Sequence, residues 1–97
     1  MRLFLGRYGP CLAGRALGRE VRERIRETLA GSDRVILDFG GVEVASHGFC
    51  DEAFGKLAQE MGFSAFKRAV RFSNCSEDVA AVVRYALRER SRAVEGV

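Results

Sequence analysis

Residues 35–57 read VILDFGGVEVASHGFCDEAFGKL, and this stretch decides the fold. An apolar strand ends at Asp38 and Phe39, a glycine-containing loop follows, and a Ser-His-Gly turn at residues 46–48 opens an amphipathic helix. Open α/β folds keep their binding sites at the carboxyl edge of the sheet, where such loops place polar side chains and free backbone N–H groups. We therefore expect the functional site at the loop and helix start of this segment.

The same order of strand and helix occurs three times along the chain. Predicted strands cover Arg2 to about Gly6, Arg34 to Phe39 and Arg68 to Ser73. Predicted helices, each with apolar residues at helical spacing, cover about Arg15 to Ala30, about His47 to Met61, and a segment that starts near Ser76. This alternation predicts parallel β-α-β units with right-handed crossovers. We predict a single α/β domain over residues 1–97, with a small, mainly parallel sheet in a β-α-β-α-β-α core.

The two faces of the predicted sheet differ in polarity. One face is uniformly apolar, with Leu3, Leu5, Val35, Leu37, Phe39, Val70 and Phe72. The other face is mixed, with Arg2, Phe4, Arg34, Ile36, Asp38, Ala69, Arg71 and Ser73. A parallel sheet that is covered on both sides is apolar on both. We therefore predict helices mainly on one face, and a second face that is partly open or covered by a partner or a second copy of the chain.

Composition and charge narrow the classes of function. The formal net charge of +3 is too small to indicate a nucleic-acid-binding protein by itself. The three cysteines are an odd number without CxxC spacing, which favours a reducing cytoplasm over a disulfide framework. The apolar run near the N-terminus is too short for a signal peptide, and no run approaches the ~20 residues of a membrane span. We expect a soluble, cytoplasmic protein.

The turn at residues 46–48 holds the side chains that most invite a catalytic interpretation. Ser46 is most simply the N-cap of the helix, a role in which Ser is preferred. His47 is the sole histidine, and Asp51 lies one turn away, which gives the composition of a Ser-His-Asp triad. Neighbouring residues at a helix start point in different directions, so Ser46 and His47 are poorly placed to bond each other. We therefore predict no catalytic residues and no enzyme activity.

Other polar residues of the segment have structural explanations. Asp51 and Glu52 complement the dipole at the helix N-terminus. Asp38 is expected to accept hydrogen bonds from N–H groups of the following loop, or to pair with Arg34 or Arg71. Gly40 and Gly41 form a tight turn that lacks the lysine and spacing of a P-loop.

A metal site is a further alternative. Cys11, His47, Cys50 and Cys75 each follow a predicted strand and could share one rim of the sheet, and three cysteines with one histidine are a known zinc combination. Their spacing matches no zinc module, and free cysteines are often buried in cores. We predict no metal and no cofactor, and favour packed thiols over reactive thiols at Cys50 and Cys75.

Arginines recur on the first and last helices. They are Arg15, Arg19, Arg22, Arg24 and Arg26 on the first, and Arg84, Arg88, Arg90 and Arg92 on the last. Glutamates interrupt the first set, so a solvated face with ion pairs is the default. Nucleic-acid binding through the C-terminal set is the alternative, and it predicts binding that salt weakens steeply.

Several short motifs of the chain together resemble those of a known family. They are Gly14-Arg15, Leu37-Asp38-Phe39, Gly41-Val42, Ser46, Phe49, Asp51-Glu52 and Phe72-Ser73-Asn74. In this order they resemble the STAS superfamily of sulphate-transporter and anti-sigma-factor-antagonist domains, and more closely the STAS-like domain of unknown function of small prokaryotic proteins. The resemblance covers roughly residues 2–90.

The resemblance implies a regulatory role. In STAS anti-sigma antagonists the matching turn is Asp-Ser-Ser-Gly, and its second serine is phosphorylated by a partner serine kinase with a histidine-kinase-like ATPase fold. Here the turn is Ala45-Ser46-His47-Gly48, so the candidate phosphoacceptors are Ser46 and His47. The resemblance thus implies a non-enzymatic protein-interaction module in signalling or transcription regulation, with a kinase-like ATPase or a transcription regulator as partner.

We expect the partner to bind around the helix start. The predicted contact residues are Glu43, Ser46, His47, Gly48, Asp51, Glu52, Asn74 and Glu77. The alternatives are nucleic-acid binding through Arg88, Arg90 and Arg92, a small metal- or thiol-dependent protein, and a homodimer formed through the mixed sheet face.

Overall fold

The computed structural model describes residues 1–95, with side chains to residue 92. Its strands are β1 (Arg2–Phe4), β2 (Cys11–Leu12), β3 (Val35–Asp38), β4 (Val44–Ala45) and β5 (Val70–Ser73). Its α-helices are α1 (Arg15–Ala30), α2 (His47–Cys50), α3 (Lys56–Met61), α4 (Phe63–Ala69) and α5 (Glu77–Glu95). A 3₁₀ turn covers Leu5–Tyr8, and a π-helical segment covers Asp51–Gly55.

The strands form two small parallel sheets. The larger sheet has the order β1-β3-β5, with Arg2 opposite Ile36 and Val35 opposite Val70. The smaller sheet pairs β2 with β4 and places Leu12 opposite Ala45. The predicted α/β class with a small parallel sheet is therefore confirmed. The second sheet was not predicted, because a two-residue strand is too short to show an alternating pattern.

The two faces of the larger sheet differ in burial as their composition indicates. Val35 and Leu37 on the apolar face are fully buried under the helices. On the mixed face Phe4 is 58% exposed, Arg71 is exposed and Ile36 is half-buried. The prediction that the helices lie mainly on one face is confirmed.

The helix predicted over residues 47–61 is continuous in space but not uniform. It consists of α2, the π-helical segment and α3, which together we call the central helix. A π-helical turn is wider than an α-helical turn and commonly marks a functional or strained place in a helix. The π-helical segment lies between α1 and α5, and both helices contact it.

A close approach of α1 to the central helix depends on Gly18. A Cβ atom at this position would lie 2.6 Å from the Cβ of Glu52 and 2.8 Å from the backbone oxygen of Phe49. Because a side chain does not fit there, glycine allows the two helices to pack in direct contact.

The third strand is shorter than predicted. Arg68 and Ala69 belong to helix α4, and β5 begins at Val70. Helix α4 begins directly after Gly62, whose φ of 90° ends α3, and it buries Phe66. A seven-residue helix offers too few turns for its apolar period to stand out, so the sequence pattern missed it.

Phenylalanines fill the core between the sheet and the central helix. The rings of Phe39 and Phe54 have centroids 6.0 Å apart, and those of Phe54 and Phe72 are 5.3 Å apart in edge-to-face geometry. Phe49 contacts Phe54 in the same geometry at 5.7 Å. Such aromatic pairs stabilise a core beyond the area that they bury. Within residues 1–95, none of the helices has both the length and the apolar character that crossing a bilayer requires.

Candidate functional site

Asp38 organises the carboxyl edge of the larger sheet. Its Oδ1 accepts hydrogen bonds from the backbone N–H of Gly40 at 2.8 Å and the side-chain amide of Asn74 at 3.0 Å, and its Oδ2 accepts from Arg2 at 2.8 Å. These bonds, led by that from Asn74, lower the pKa of Asp38. The predicted bond to a loop N–H is confirmed, but the pairing with Arg34 or Arg71 is wrong.

Asn74 has a backbone role as well as a side-chain role. Its φ is +58°, in the left-handed region that asparagine tolerates better than most residues. This conformation ends β5 and turns the chain towards α5, whose first turn is capped by Ser76 through the backbone N–H of Val79. Asn74 thus ties the start of α5 to the edge of the sheet.

Ser46 caps the central helix, as predicted. Its Oγ accepts hydrogen bonds from the backbone N–H of Phe49 at 3.1 Å and of Gly14 at 3.3 Å. The second bond joins the start of α1 to the start of the central helix. The side chain is half-buried.

His47 and Tyr85 form an exposed aromatic pair. Their ring centroids are 5.2 Å apart with an interplanar angle of 61°. Tyr85 is 52% exposed, and Val44, three residues before His47, is 55% exposed. Sequence reasoning missed Tyr85, although an aromatic residue on the outer side of an amphipathic helix was a visible signal.

The structure does not join Ser46, His47 and Asp51 as a catalytic triad. Among the described residues, Ser46 Oγ accepts only from backbone N–H groups, and the carboxylate of Asp51 is held by two arginines. The hydrogen bonds of the described residues include none between these groups and His47. The chain of bonds that relays a proton from serine through histidine to aspartate is absent from the described residues.

The remaining predicted contact residues divide into an exposed and a buried group. Glu43, Asn74 and Glu77 are exposed, and Gly48 is half-buried. Asp51 and Glu52, in contrast, are only 7% and 3% exposed. Their carboxylates face α1 and α5, so the expectation that they offer a surface to a partner is corrected.

Asp51 joins three helices. Arg90 of α5 donates from Nε to Oδ1 at 2.7 Å and from Nη2 to Oδ2 at 2.8 Å, which is a bidentate pair. Arg15 of α1 donates to Oδ2 at 2.8 Å. The bonds from Arg90 and then from Arg15 hold the pKa of Asp51 well below its usual range.

The carboxylate of Glu52 is also held by several cations, from α1 and α3. It accepts from Lys56 at 2.6 Å, from Arg22 at 2.9 Å and from Arg15 at 3.4 Å. The bonds from Lys56 and Arg22 lower the pKa of Glu52 to about 2. Arg22 also donates to the backbone oxygen of Glu52 at 2.7 Å, while its Nε is buried without a partner among the described residues. We call Arg15, Arg22, Asp51, Glu52, Lys56 and Arg90 the ionic cluster.

The ionic cluster changes the interpretation of the arginines. Arg15, Arg22 and Arg90 are engaged by buried carboxylates. Arg26 pairs with Glu23 and Glu60 at the surface. The C-terminal set of arginines, which was the alternative site for nucleic-acid binding, therefore loses Arg90 to an ion pair with Asp51.

The cysteines do not form a site. Cys11 is exposed, Cys75 is half-buried and Cys50 is buried. Burial raises the pKa of Cys50 to about 12 and also raises the pKa of Cys75, which is opposite to the change expected of reactive thiols. Among the side chains of residues 1–92, no three His, Cys, Asp or Glu groups are placed to hold a metal ion, so the candidate set of Cys11, His47, Cys50 and Cys75 is not assembled.

Comparison with known protein families identifies a match. A family model described as a STAS-like domain of unknown function matches residues 18–80, which is about two thirds of the chain. The matched region begins in α1 and includes β3, the central helix, α4, β5 and the start of α5. No curated protein and no solved structure matches the chain.

Proposed function

We propose that this chain, which belongs to the family of STAS-like domains of unknown function, is a non-enzymatic domain that binds a regulatory partner protein. The proposed contact, called here the helix-start surface, consists of Glu43, Val44, Ser46, His47, Gly48, Asn74, Glu77 and Tyr85.

The observation that carries the proposal is the exposed pair of His47 and Tyr85 beside exposed Val44. Aromatic side chains with a polar edge dominate the binding energy of many protein interfaces. Acidic Glu43 and Glu77 are also exposed and give the surface a polar rim.

A rigid support favours binding at this surface. The Ser46 cap fixes the first turn of the central helix against α1. The bidentate pair of Asp51 and Arg90 fixes the central helix against α5, which carries Tyr85. A preorganised surface loses less conformational entropy on binding, so more of the contact energy appears as affinity.

The non-enzymatic part of the proposal is supported by the engagement of the polar groups. Ser46 is used as a cap and Asp51 as an ion-pair partner, so neither is available to activate a nucleophile. The class of partner follows from the resemblance to anti-sigma-factor antagonists, which suggests a kinase-like ATPase or a transcription regulator.

Phosphorylation at the turn is part of the same proposal. His47 is exposed and Ser46 is half-buried, so His47 is the more accessible acceptor. A phosphate there adds about two negative charges to the helix-start surface and is expected to release the partner. Phosphate-affinity gels of protein from the native host test this step, and the absence of a shifted species under every growth condition contradicts it.

Affinity capture from the native host, followed by a binding titration with the purified partner, tests the main proposal. We expect the wild-type chain to capture a histidine-kinase-like ATPase or a transcription regulator. Tyr85→Ala is expected to weaken that complex by about tenfold or more, since an interface hot spot contributes roughly 2 kcal/mol. Phe4→Ala is the matched control, because Phe4 is a similarly exposed aromatic residue on the open sheet face.

Two results would overturn the proposal. One is a partner whose affinity falls with Phe4→Ala and not with Tyr85→Ala. The other is recovery of nucleic acid alone, which would favour binding through the arginines of α5.

A further inference from the structure

A second surface feature lies on the other side of α5, between that helix, α4 and β5. It is a groove that consists of three adjoining stretches, whose cavity volumes are about 270, 380 and 400 Å³. The stretches share lining residues, and their floor is apolar, formed by Phe63, Phe66, Val70, Phe72 and Leu87. Phe63, Phe72 and Leu87 are only partly buried, so the floor is accessible from solvent.

The rim of this groove carries only one sign of charge. Lys67, Arg71, Arg84 and Arg88 line it, and its described lining residues include no Asp or Glu. Within the part of the chain that the structure describes, none of these four cations takes part in an ion pair. This contrasts with the ionic cluster, where each cation has a carboxylate. We call the floor and the rim together the basic groove.

Strand β5 adds backbone groups beside the basic groove. In the part of the chain that the structure describes, it is an edge strand, since it pairs only with β3 in the larger sheet. The backbone oxygen of Ser73 accepts from the N–H of Phe39, the residue directly after β3. Strand alternation then directs the N–H and C=O of Phe72 away from β3. An extended segment of another chain can pair with such an edge while its side chains enter neighbouring pockets.

We propose that the basic groove binds a segment of a partner protein in which acidic and apolar residues alternate. The apolar side chains of the segment contact the floor, and its carboxylates lie against the four rim cations. Charge complementarity excludes a basic segment, because like charges would be brought together at the rim. This inference goes beyond the helix-start surface, which the basic groove borders only at Asn74.

A second copy of the chain is a poorer occupant of the basic groove, because its charge does not complement the rim. The chain has a net charge of +3, and the open sheet face that could cover the groove carries exposed Arg2, Arg34 and Arg71. Two positive surfaces would then face each other across the contact.

The test uses the full chain and a fluorescein-labelled peptide of sequence DLDFELDLE, with binding followed by fluorescence anisotropy at low salt. We expect saturable binding that weakens with added salt, since exposed charges are screened. Arg84→Glu with Arg88→Glu is expected to weaken binding by about tenfold, because two attractive contacts become repulsive. Arg19→Glu with Arg24→Glu, an equal change of charge on exposed positions of α1, is expected to leave the affinity unchanged.

Control peptides test whether binding needs both the apolar and the acidic residues, and a variant of the helix-start surface tests whether the two surfaces act separately. Replacing the apolar residues of the peptide by serine, or its acidic residues by lysine, is expected to abolish binding. Tyr85→Ala is expected to leave peptide binding unchanged, so a failure of the helix-start surface is distinguishable from a failure of the basic groove.

Three outcomes of the binding assays would overturn the proposal. They are equal weakening by both pairs of charge reversals, binding of the serine peptide as tight as that of the apolar peptide, and tighter binding of single-stranded DNA of matched charge. Sedimentation of a dimer that dissociates only in the Arg84→Glu, Arg88→Glu variant would also overturn it, since a second copy would then occupy the groove.

Discussion

Replacing Glu52 by Gln tests the ionic cluster directly, because the side chain keeps its size and loses its charge. Arg22 has only 11% of its side chain exposed and would be left beside a neutral amide. The pKa of Glu52 is about 2 instead of its ordinary 4.5. At 1.36 kcal/mol per unit of pKa, this difference corresponds to roughly 3 kcal/mol of stabilisation of the folded state by the ionised carboxylate. Removal of one partner from a buried ion pair typically costs about 3–5 kcal/mol, which agrees.

We expect Glu52→Gln to lower the free energy of unfolding by about 3 kcal/mol at pH 7. The pKa is lowered in the folded state, so the stabilisation is complete above the unfolded pKa of 4.5 and is lost as the pH falls towards 2. The difference between wild type and variant is therefore expected to shrink to roughly 1 kcal/mol at pH 3. Urea denaturation followed by far-UV circular dichroism at pH 7 and pH 3 measures both values.

Glu60→Gln is the matched control for this experiment. Glu60 pairs with Arg26 at the surface, and half of its side chain is exposed. Its removal is expected to change the free energy of unfolding by less than about 1 kcal/mol, as for other surface pairs. The reasoning is refuted if the two variants are equally stable at pH 7, or if the loss in Glu52→Gln is as large at pH 3 as at pH 7.

Three further predictions concern the packing, the cap and the thiols. Gly18→Ala is expected to lower the free energy of unfolding by about 2 kcal/mol or more, whereas Gly31→Ala is expected to be nearly neutral, because a Cβ atom at residue 31 meets no atom within 4 Å. Thermal melts compare the two variants, and equal stability would contradict the close approach of α1 to the central helix. Ser46→Ala is expected to cost about 1 kcal/mol in urea denaturation, and Ser46→Thr, which retains a cap, is expected to recover most of it; no difference between the two would argue against the cap. Iodoacetamide at pH 8 is expected to label exposed Cys11 and to spare Cys50 until the chain is unfolded, as followed by mass spectrometry; fast labelling of native Cys50 would contradict its burial.

The main elements of the fold were predictable because their signals are local. The apolar period over residues 15–30 defines α1 with its observed bounds, Arg15–Ala30. The alternation of strand and helix implies the parallel sheet, and the uneven polarity of the strands implies its open face. In contrast, α4 was missed because seven residues between Gly62 and β5 do not show a helical period clearly.

The candidate site was predictable only where neighbours along the chain create it. The Ser46 cap depends on residues three positions apart, and it was predicted correctly. The burial of Asp51 depends on Arg90, which is 39 positions away, so the sequence suggested an exposed carboxylate instead. Tyr85 meets His47 through the packing of α5 beside the central helix, a contact that no local pattern encodes.

The parallel pairing of the strands has a consequence for how the chain can assemble. Each strand pair among the described residues joins positions 33 to 35 apart: Arg2 with Ile36, Cys11 with Val44, and Val35 with Val70. No tight turn can begin these pairings, so each requires closure of a loop that contains a whole helix. During synthesis, β1 has no partner strand until β3 has left the ribosome, and β3 lacks its second neighbour until β5 follows. Helices α1 to α4 precede β5 in the chain and can form locally in that interval, so the larger sheet gains its last strand only after four of the five described helices have been made, and α5 follows it.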